Sequence, residues 1–363
     1  MEAALALKGN ASSVHAEGRA VRRLIEEARE RVAQLMGAAA KNVTFTSGGT
    51  EANMLALTPA LEIAGRKEPR DRLFISAIEH ASVRSGGRFA AGSVEELPVT
   101  SEGVLDLAAL EEAIRKAARP MVSVMLANNE TGVLQPISQI AEIVHAAAGV
   151  LHVDAVQGPG RIDCDITQLG ADLLSISSHK LGGPQGAGAL VRRGDDIHVA
   201  DPLIKGGGQE RGQRAGTENV AAIAGFGAAA AAANLTAAGR MTALRDRLET
   251  GITTATPQAV IFGAKTRRLP NTTAFAVPGI KAETAIISFD LNGIAVSSGS
   301  ACSSGKVQAS HVLTAMGVDP VLVRGGVRVS LGWSTTDAEI GRFLETWNVL
   351  AGSLLKERSG IAA

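Results

Sequence analysis

The chain has 363 residues, enough for a large domain and a smaller one, and its 36 basic and 36 acidic residues balance. This balance excludes a global field that would attract nucleic acid or an anionic membrane, and charges interrupt every apolar run before it could span a bilayer. The first residues lack the pattern of a signal peptide, and two cysteines are too few for a disulfide framework. We therefore expect a cytoplasmic protein.

The first part of the chain alternates between helical and strand patterns. An apolar stripe predicts an amphipathic helix over about residues 17–36. Further helices are predicted at Thr50–Gly65, Leu107–Ala118 and Ser138–Ala148. Short apolar runs predict strands at Val43–Thr46, Leu73–Ser76, Met121–Ala127, Val150–Ala155, Leu173–Ser177 and Gly188–Arg192. Apolar strands separated by helices indicate an α/β fold with a mostly parallel sheet that is covered on both faces.

The last third of the chain has a different pattern. An Ala-rich tract predicts a tightly packed helix, and a charged helix, three short strands and a closing helix follow it. These elements are Gly227–Ala233, Arg240–Thr250, strands near Val260, Ala274 and Val327, and Asp337–Leu355. We expect a large domain over residues 1–237 and a smaller α+β domain over residues 238–363.

The Ser47–Asn53 motif follows a predicted strand and opens a predicted helix. Backbone N–H groups and the positive end of the helix dipole then point at an anion, and the glycines let a phosphate approach closely. The motif is neither a Walker motif nor a dinucleotide fingerprint. A glycine turn with a helix cap explains it equally well.

Lys180 lies at the end of an apolar strand, just before a Gly-Gly-Pro turn, where α/β sheets place their ligands. In a partly desolvated site its amine loses a proton more readily and can form a Schiff base with an aldehyde cofactor. The alternatives are a solvated loop lysine and, for the neighbouring His179, a structural histidine.

Asp154 ends another predicted strand, and a carboxylate there could hold the protonated pyridine nitrogen of a pyridoxal cofactor. The alternative is a helix cap. Two further strands are followed by Asn128–Gly132 and by Glu79–His80. Several polar groups therefore converge on one edge of the predicted sheet.

Cys302 lies in the small, polar stretch Ser297–Gly305, which packs nothing and suits a mobile loop. An exposed thiol on such a loop suits a nucleophile that collects a group and carries it elsewhere, and a free surface thiol is the alternative. The other cysteine, Cys164, lies between two acids, which raise a thiol pKa, so we expect it to be a bystander. The Gly-rich loop Lys205–Glu218 can cross a subunit boundary or be a plain surface loop.

The order of these motifs resembles the cysteine desulfurases of the NifS/IscS type, which belong to the class V aminotransferases. The resemblance covers essentially the whole chain and is most specific in the Ser-Ser-His-Lys motif, the Lys205–Glu218 loop and the Ser-Ser-Gly-Ser-Ala-Cys motif. It implies the fold-type I architecture, with a mostly parallel seven-stranded sheet, pyridoxal 5′-phosphate as the cofactor, and a homodimer.

The same resemblance implies a role for each matching residue. Lys180 would be the Schiff-base lysine, Asp154 the pyridinium partner, and His80 the residue that stacks on the ring and assists proton transfer. The remaining roles are Gln157 and Asn129 at the ring oxygen; Gly49, Thr50, Ser177 and His179 at the phosphate, with Thr217 from the other subunit; Arg328 with Asn129 at the substrate; and Cys302 as sulfur acceptor and transient iron–sulfur ligand.

The activity that the resemblance implies is conversion of L-cysteine to L-alanine, with a persulfide left on Cys302. The acceptor would be an iron–sulfur scaffold or a sulfur-carrier protein, so iron–sulfur assembly, tRNA thiolation and nitrogenase maturation all stay open. The alternatives are a selenocysteine lyase and a catalytically weak scaffold that binds sulfur-carrier proteins. Neither nucleic acid nor membrane is expected as a direct partner.

One expectation concerns the start of the sequence. Family members usually begin with a short strand that contains Asp-Asn-Asn-Ala-Thr or similar, upstream of the Gly-Asn-Ala-Ser-Ser motif that stands at Gly9–Ser13. That strand packs on the small domain and lines the substrate pocket. We therefore expect a chain that begins at Met1 to bind the cofactor but to turn cysteine over poorly.

Overall fold

A computed structural model gives the structure of residues 1–67, 69–299 and 309–361, with side chains described to Leu355. Cys302 lies outside the described residues. The helices are α1 Glu2–Leu5, α2 Ala16–Leu35, α3 Gly49–Ala56, α4 Ala81–Arg84, α5 Leu107–Ile114, α6 Ile137–Ala146, α7 Ile166–Leu169, α8 Val220–Ala232, α9 Ala238–Ala255, α10 Ala282–Leu291, α11 His311–Ala315, α12 Pro320–Val323 and α13 Asp337–Ile361. Within the ranges given, none of them combines the length and apolar composition that crossing a bilayer requires.

The strands alternate with these helices along the chain. They are β1 Val43–Thr46, β2 Leu61–Ile63, β3 Arg72–Ser76, β4 Val94–Leu97, β5 Pro120–Met125, β6 Val150–Asp154, β7 Leu173–Ser177, β8 Gly188–Arg192, β9 Ile197–Val199, β10 Val260–Ile261, β11 Thr272–Ala276, β12 Ser297–Ser298 and β13 Val327–Ser330. Single 3₁₀ turns lie at Ala40–Asn42, Ala91–Ser93, Ser178–Leu181 and Gln209–Gly212.

A seven-stranded sheet has the order β1-β8-β7-β6-β5-β3-β4. The five neighbouring strands β7, β6, β5, β3 and β4 run parallel to one another. Strand β8 runs antiparallel to both of its neighbours, β7 and β1. Every residue of β6 and of β7 is buried, as expected where helices cover both faces of a parallel sheet. The prediction of an α/β fold with a mostly parallel sheet of seven strands is confirmed.

Several elements of this region differ from the prediction. The helix predicted over Thr50–Gly65 ends at Ala56, because Pro59 lacks an N–H and disfavours helical backbone in the residue before it. The chain then forms β2, which pairs with β9. The sequence pattern also misses β4, whose two adjacent glutamates interrupt the apolar run of an edge strand.

A second sheet has the antiparallel order β10-β11-β13-β12. Its core contains a cluster of aromatic rings contributed by β11, α10 and α13. Phe289 stacks on Phe343 with 4.6 Å between ring centroids, and Phe275 meets Trp347 edge-on at 5.1 Å. Each such pair adds about 0.5–1.5 kcal/mol to the stabilisation from buried area, so these rings anchor α10 and α13 to the sheet.

The chain forms two compact units. The first consists of Met1–Leu97, Asp106–Leu126 and Gln135–Asn234, and it contains the seven-stranded sheet. The second consists of Pro98–Leu105, Ala127–Leu134 and Leu235–Ala363, and it contains the four-stranded sheet. Two segments that lie within residues 1–237 therefore belong to the second unit, a partition that no single boundary in the sequence can describe.

Helices α2 and α8 approach closely at Gly227. A Cβ added there would lie 2.5 Å from the Ala28 Cα and 2.6 Å from the Ala28 Cβ. We predict that Gly227→Ala destabilises the protein by about 1–3 kcal/mol, because overpacking outweighs a gain of about 1 kcal/mol in helix propensity. The midpoint of thermal unfolding measures the change.

Gly352 in α13 is the matched control. A Cβ added at this position would meet nothing within 4 Å. Gly352→Ala should therefore increase the free energy of unfolding by up to about 1 kcal/mol, and the unfolding midpoint should rise accordingly. If Gly227→Ala raised the midpoint as well, the close approach of α2 and α8 would not be a constraint on the fold.

Candidate active site

Polar side chains collect at one edge of the seven-stranded sheet, in the first unit. Asp154 ends β6, Ser177 ends β7, and His80 follows the end of β3. These three strands are parallel, so their carboxyl ends share an edge. The register also pairs both Thr46 and Ser177 with Gly188, which brings the start of α3 to the same edge.

Asp154 is the buried carboxylate of this edge, with 6% of its surface exposed. Its Oδ1 accepts a hydrogen bond from the Val156 N–H at 3.0 Å, and its Oδ2 accepts one from the Asn53 amide at 2.8 Å. Burial raises the pKa of Asp154, while these hydrogen bonds and the positive charges of His80 and Lys180 act in the opposite direction. Asp154 therefore lies within electrostatic range of both predicted catalytic residues.

His80 is joined to Asp154 through two side chains. Its Nδ1 lies 2.8 Å from the Ser82 Oγ and 3.2 Å from the Ser82 N, and it caps the start of α4. The Ser82 Oγ in turn accepts a hydrogen bond from the Asn53 Nδ2 at 2.9 Å. The chain of contacts therefore runs from His80 through Ser82 and Asn53 to Asp154.

Lys180 is half-buried in the turn Ser178–Leu181, directly after β7. Gly182 ends this turn with φ 88°, a left-handed conformation that favours glycine. The carbonyl oxygen of Lys180 accepts a hydrogen bond of 2.8 Å from the Arg161 guanidinium. The turn therefore holds the lysine backbone at the end of the strand.

The predicted phosphate residues surround the start of α3. Gly49 and Thr50 form its first turn, whose backbone N–H groups point along the helix axis. A Cβ added at Gly49 would lie 3.4 Å from the Ser177 Cβ, so these two residues are neighbours. The Ser177 Oγ lies 2.8 Å from the His179 Nδ1. The structure thus brings together a helix N-terminus, a hydroxyl group and an imidazole.

Asn129 and Arg328 belong to the second unit, where they contact each other. The Arg328 guanidinium donates a hydrogen bond of 2.8 Å to the carbonyl oxygen of Asn129. Burial raises the pKa of the adjacent Glu130 to about 7, while the Ser310 hydroxyl, at 2.5 Å, and the Arg328 charge lower it. The two predicted substrate residues, Asn129 and Arg328, therefore lie together in the second unit.

The sequence profile of the aminotransferase class-V family matches residues 2–343. The chain belongs to this family. A relative named cysteine desulfurase, from Cereibacter sphaeroides, is 42% identical over 346 residues, which cover 93% of this chain and 87% of the relative. Cysteine desulfurase IscS 1 from Archaeoglobus fulgidus is 41% identical over 361 residues, covering 97% of this chain and 91% of the relative.

The solved structures agree with these relatives. A NifS-like protein from Rickettsia africae matches with a TM-score of 0.86 and 36% identity, covering 97% of this chain and 95% of that one. The predictions of the family and of the fold-type I architecture are therefore confirmed.

Gln157 and Thr217 are the two remaining predicted cofactor residues. Gln157 is half-buried on the turn after β6, and its carbonyl oxygen accepts a hydrogen bond of 2.9 Å from Arg161. Thr217 is exposed in the Lys205–Glu218 loop. Their roles toward a ring oxygen and toward a second subunit stay predictions.

The Lys205–Glu218 loop is held by a buried ion pair. Glu210 accepts two hydrogen bonds from the Arg29 guanidinium, at 2.6 and 2.8 Å, and one from the Phe45 N–H at 2.8 Å. Both Glu210 and Arg211 have positive φ, 46° and 55°. The loop is therefore anchored to α2 and β1 at Glu210. Whether it crosses a subunit boundary stays a prediction.

Cys164 is buried, and burial is the largest cause that raises its thiol pKa, to about 12. The negative charge of Asp163 adds to the shift and Arg161 opposes it. The acidic neighbours noted in the sequence are thus the smaller cause. Among the described residues, no group of three or more His, Cys, Asp or Glu side chains could hold a metal ion.

Asn53 and Ser82 are the site residues that the sequence motifs do not single out. Asn53 lies three positions after Thr50 in the Ser47–Asn53 motif. The sequence therefore places it on the same predicted helix as Thr50, one turn further along. Ser82 lies two positions after His80, which is the spacing of a cap on α4. Only the fold brings the two side chains together.

Glu79 is a second buried carboxyl group at this edge. Its Oε1 accepts hydrogen bonds from the Ser76 hydroxyl at 2.5 Å and from the Met125 N–H at 2.8 Å. Burial raises its pKa to about 8 and the charge of Asp154 raises it further, while the two hydrogen bonds lower it. Glu79 is therefore mostly protonated at neutral pH.

The raised pKa of Glu79 predicts a pH dependence of stability. Because the folded state holds this proton more tightly than the unfolded state, its contribution is complete below about pH 4.5 and is lost as the pH rises toward 8. Glu79→Gln removes the titration, so its stability relative to the natural chain should rise between pH 5 and 8, by up to about 1 kcal/mol per pH unit. Urea unfolding at each pH measures this.

Glu30→Gln is the control, since Glu30 is exposed on α2. Its effect on stability should be nearly the same at every pH. A pH-independent effect of Glu79→Gln would mean that Glu79 does not titrate in the folded protein.

Proposed function

We propose that this chain is a pyridoxal-phosphate-dependent cysteine desulfurase that converts L-cysteine to L-alanine. The observation that carries the proposal is the group at the sheet edge, in which Lys180 and His80 lie within electrostatic range of the buried Asp154. The names of the relatives support the same activity.

The residues at the sheet edge fit pyridoxal phosphate. A buried carboxylate, Asp154, matches a pyridine N–H, and the Lys180 amine matches an aldehyde. A phosphate dianion suits the N-terminus of α3 together with the Ser177 hydroxyl and the adjacent His179. The donor set therefore corresponds to the three polar parts of the cofactor, each with its own partner.

When bound, pyridoxal phosphate supplies an electron sink that makes the substrate Cα–H bond acidic. Asp154 holds a proton on the pyridine nitrogen through its negative charge. Lys180 takes the proton from Cα and His80 assists its movement. Arg328 binds the substrate carboxylate through its planar guanidinium.

Cys302 receives the sulfur. Its thiolate attacks the substrate sulfur, so that an S–S bond forms while the Cβ–S bond breaks and leaves its electron pair on carbon. A proton at that carbon completes the methyl group of alanine. The sum is cysteine plus enzyme thiol giving alanine plus enzyme persulfide, with no external oxidant or reductant.

We also propose a cytoplasmic homodimer in which Thr217 reaches the phosphate of the other subunit. The persulfide would pass to an iron–sulfur scaffold or a sulfur-carrier protein. Two observations support the reach of Thr217 toward another subunit. Its side chain is exposed, and the loop that carries it is held by the hydrogen bonds between Arg29 and Glu210.

The first prediction of the proposal concerns Lys180. Lys180→Ala should stay folded, lose the visible absorption of the cofactor-loaded protein, and bind the cofactor roughly tenfold or more weakly. Borohydride treatment of the natural chain followed by peptide mapping should find the cofactor on Lys180. Lys116→Ala, at an exposed position, is the control and should bind normally. Label on another lysine would contradict the assignment.

The second prediction concerns the two cysteines. Cys302→Ser should abolish the release of sulfide from L-cysteine, whereas Cys164→Ser should retain it, because the Cys164 thiol is buried and its pKa is raised to about 12. The reverse pattern would contradict the roles. If Cys302→Ser kept full activity on selenocysteine, a selenocysteine lyase would be favoured.

A further inference from the structure

The amide of Asn53 has two hydrogen-bond acceptors for its two N–H bonds. Asn53 is 1% exposed, and its Nδ2 lies 2.8 Å from the Asp154 Oδ2 and 2.9 Å from the Ser82 Oγ. Both hydrogens of one nitrogen are therefore directed to different partners.

The orientation of this amide follows from the charge of Asp154. An ionised carboxylate accepts hydrogen bonds and donates none. If the Asn53 amide were turned over, its oxygen would face the Asp154 oxygen with no proton between them. The inference rests on the proposed function at this one point, because the role of Asp154 toward a pyridine N–H requires the ionised form.

The direction of this hydrogen bond determines the direction of the next. The Ser82 Oγ accepts from Asn53, so its single O–H is free to donate to the His80 Nδ1, 2.8 Å away. The backbone N–H of Ser82 lies 3.2 Å from the same nitrogen and donates to it as well. Two donors therefore face Nδ1, and the proton of a neutral imidazole must lie on Nε2.

We propose that Asn53 and Ser82 are positioning residues that hold neutral His80 in the Nε2–H tautomer and connect that tautomer to the ionised Asp154. In this tautomer Nε2 presents an N–H hydrogen-bond donor, while Nδ1 accepts from Ser82 and thereby fixes the ring. The backbone N–H and the hydroxyl of Ser82 together hold the ring at the start of α4, and the hydroxyl with Asn53 connects it to the carboxylate.

The test is nitrogen-15 NMR of the full chain labelled at histidine, with and without pyridoxal phosphate, at about pH 8.5, where an ordinary histidine is neutral. The His80 signals are assigned by their loss in His80→Gln. In the natural chain, Nε2 should give the shift of a protonated nitrogen and Nδ1 that of an unprotonated one. A proton on Nδ1 would overturn the proposal.

The decisive variants change Ser82. Ser82→Ala should move the two nitrogen shifts toward each other as the tautomers mix, and it should lower kcat up to about tenfold with KM nearly unchanged, as expected for one lost hydrogen bond. Ser82→Thr keeps the hydroxyl and should restore both values. Unchanged nitrogen shifts in Ser82→Ala would overturn the proposal.

Ser85→Ala is the matched control, because Ser85 directly follows α4 and its hydroxyl donates to the carbonyl oxygen of Ser82 at 3.1 Å. It should leave the His80 shifts unchanged, and a change as large as that of Ser82→Ala would overturn the proposal. If Ser82→Ala does not fold, Ser82→Cys makes the same comparison with a weaker donor. The NMR readout needs no turnover, so it separates failure of this proposal from failure of the desulfurase assignment.

Discussion

An ionised carboxylate that is buried loses hydration, and in proteins the loss of several kcal/mol must be offset by donors and positive charges. Asp154 is the carboxylate on which this chain's site depends. Its two oxygens receive the Val156 N–H and the Asn53 amide, and the Lys180 amine supplies positive charge nearby. The Asn53 amide that stabilises Asp154 also contacts the Ser82 hydroxyl, which lies beside His80.

The neighbouring Glu79 is a second buried carboxyl group beside Asp154. It is buried at the same edge with two hydrogen bonds, yet its pKa is raised to about 8 and it keeps its proton at neutral pH. Two ionised carboxylates in this space would repel each other in a medium of low dielectric. Protonation of Glu79 therefore removes a second negative charge from beside Asp154.

The sequence predicts the strand-end residues well and their connections poorly. Asp154 ends an apolar strand and Lys180 lies in the turn directly after one. Apolar strands followed by polar residues are visible in a single sequence. The contact of Asn53 with Asp154 joins residues 101 positions apart, and its contact with Ser82 joins residues 29 apart. Local pattern carries no information at such separations, so the fold alone brings Asn53 to both partners.

The second unit meets a related constraint at Glu130, which is 3% exposed. The Ser310 hydroxyl donates to its Oε2 at 2.5 Å, and a Cβ added at Gly299 would lie 2.7 Å from the same oxygen. Gly299 precedes and Ser310 follows the segment that contains Cys302. Both residues lie against the carboxyl group of Glu130. Only glycine fits at position 299 without displacing Glu130 or Ser310. Gly299 therefore has a packing reason of its own, independent of any role of the cysteine motif.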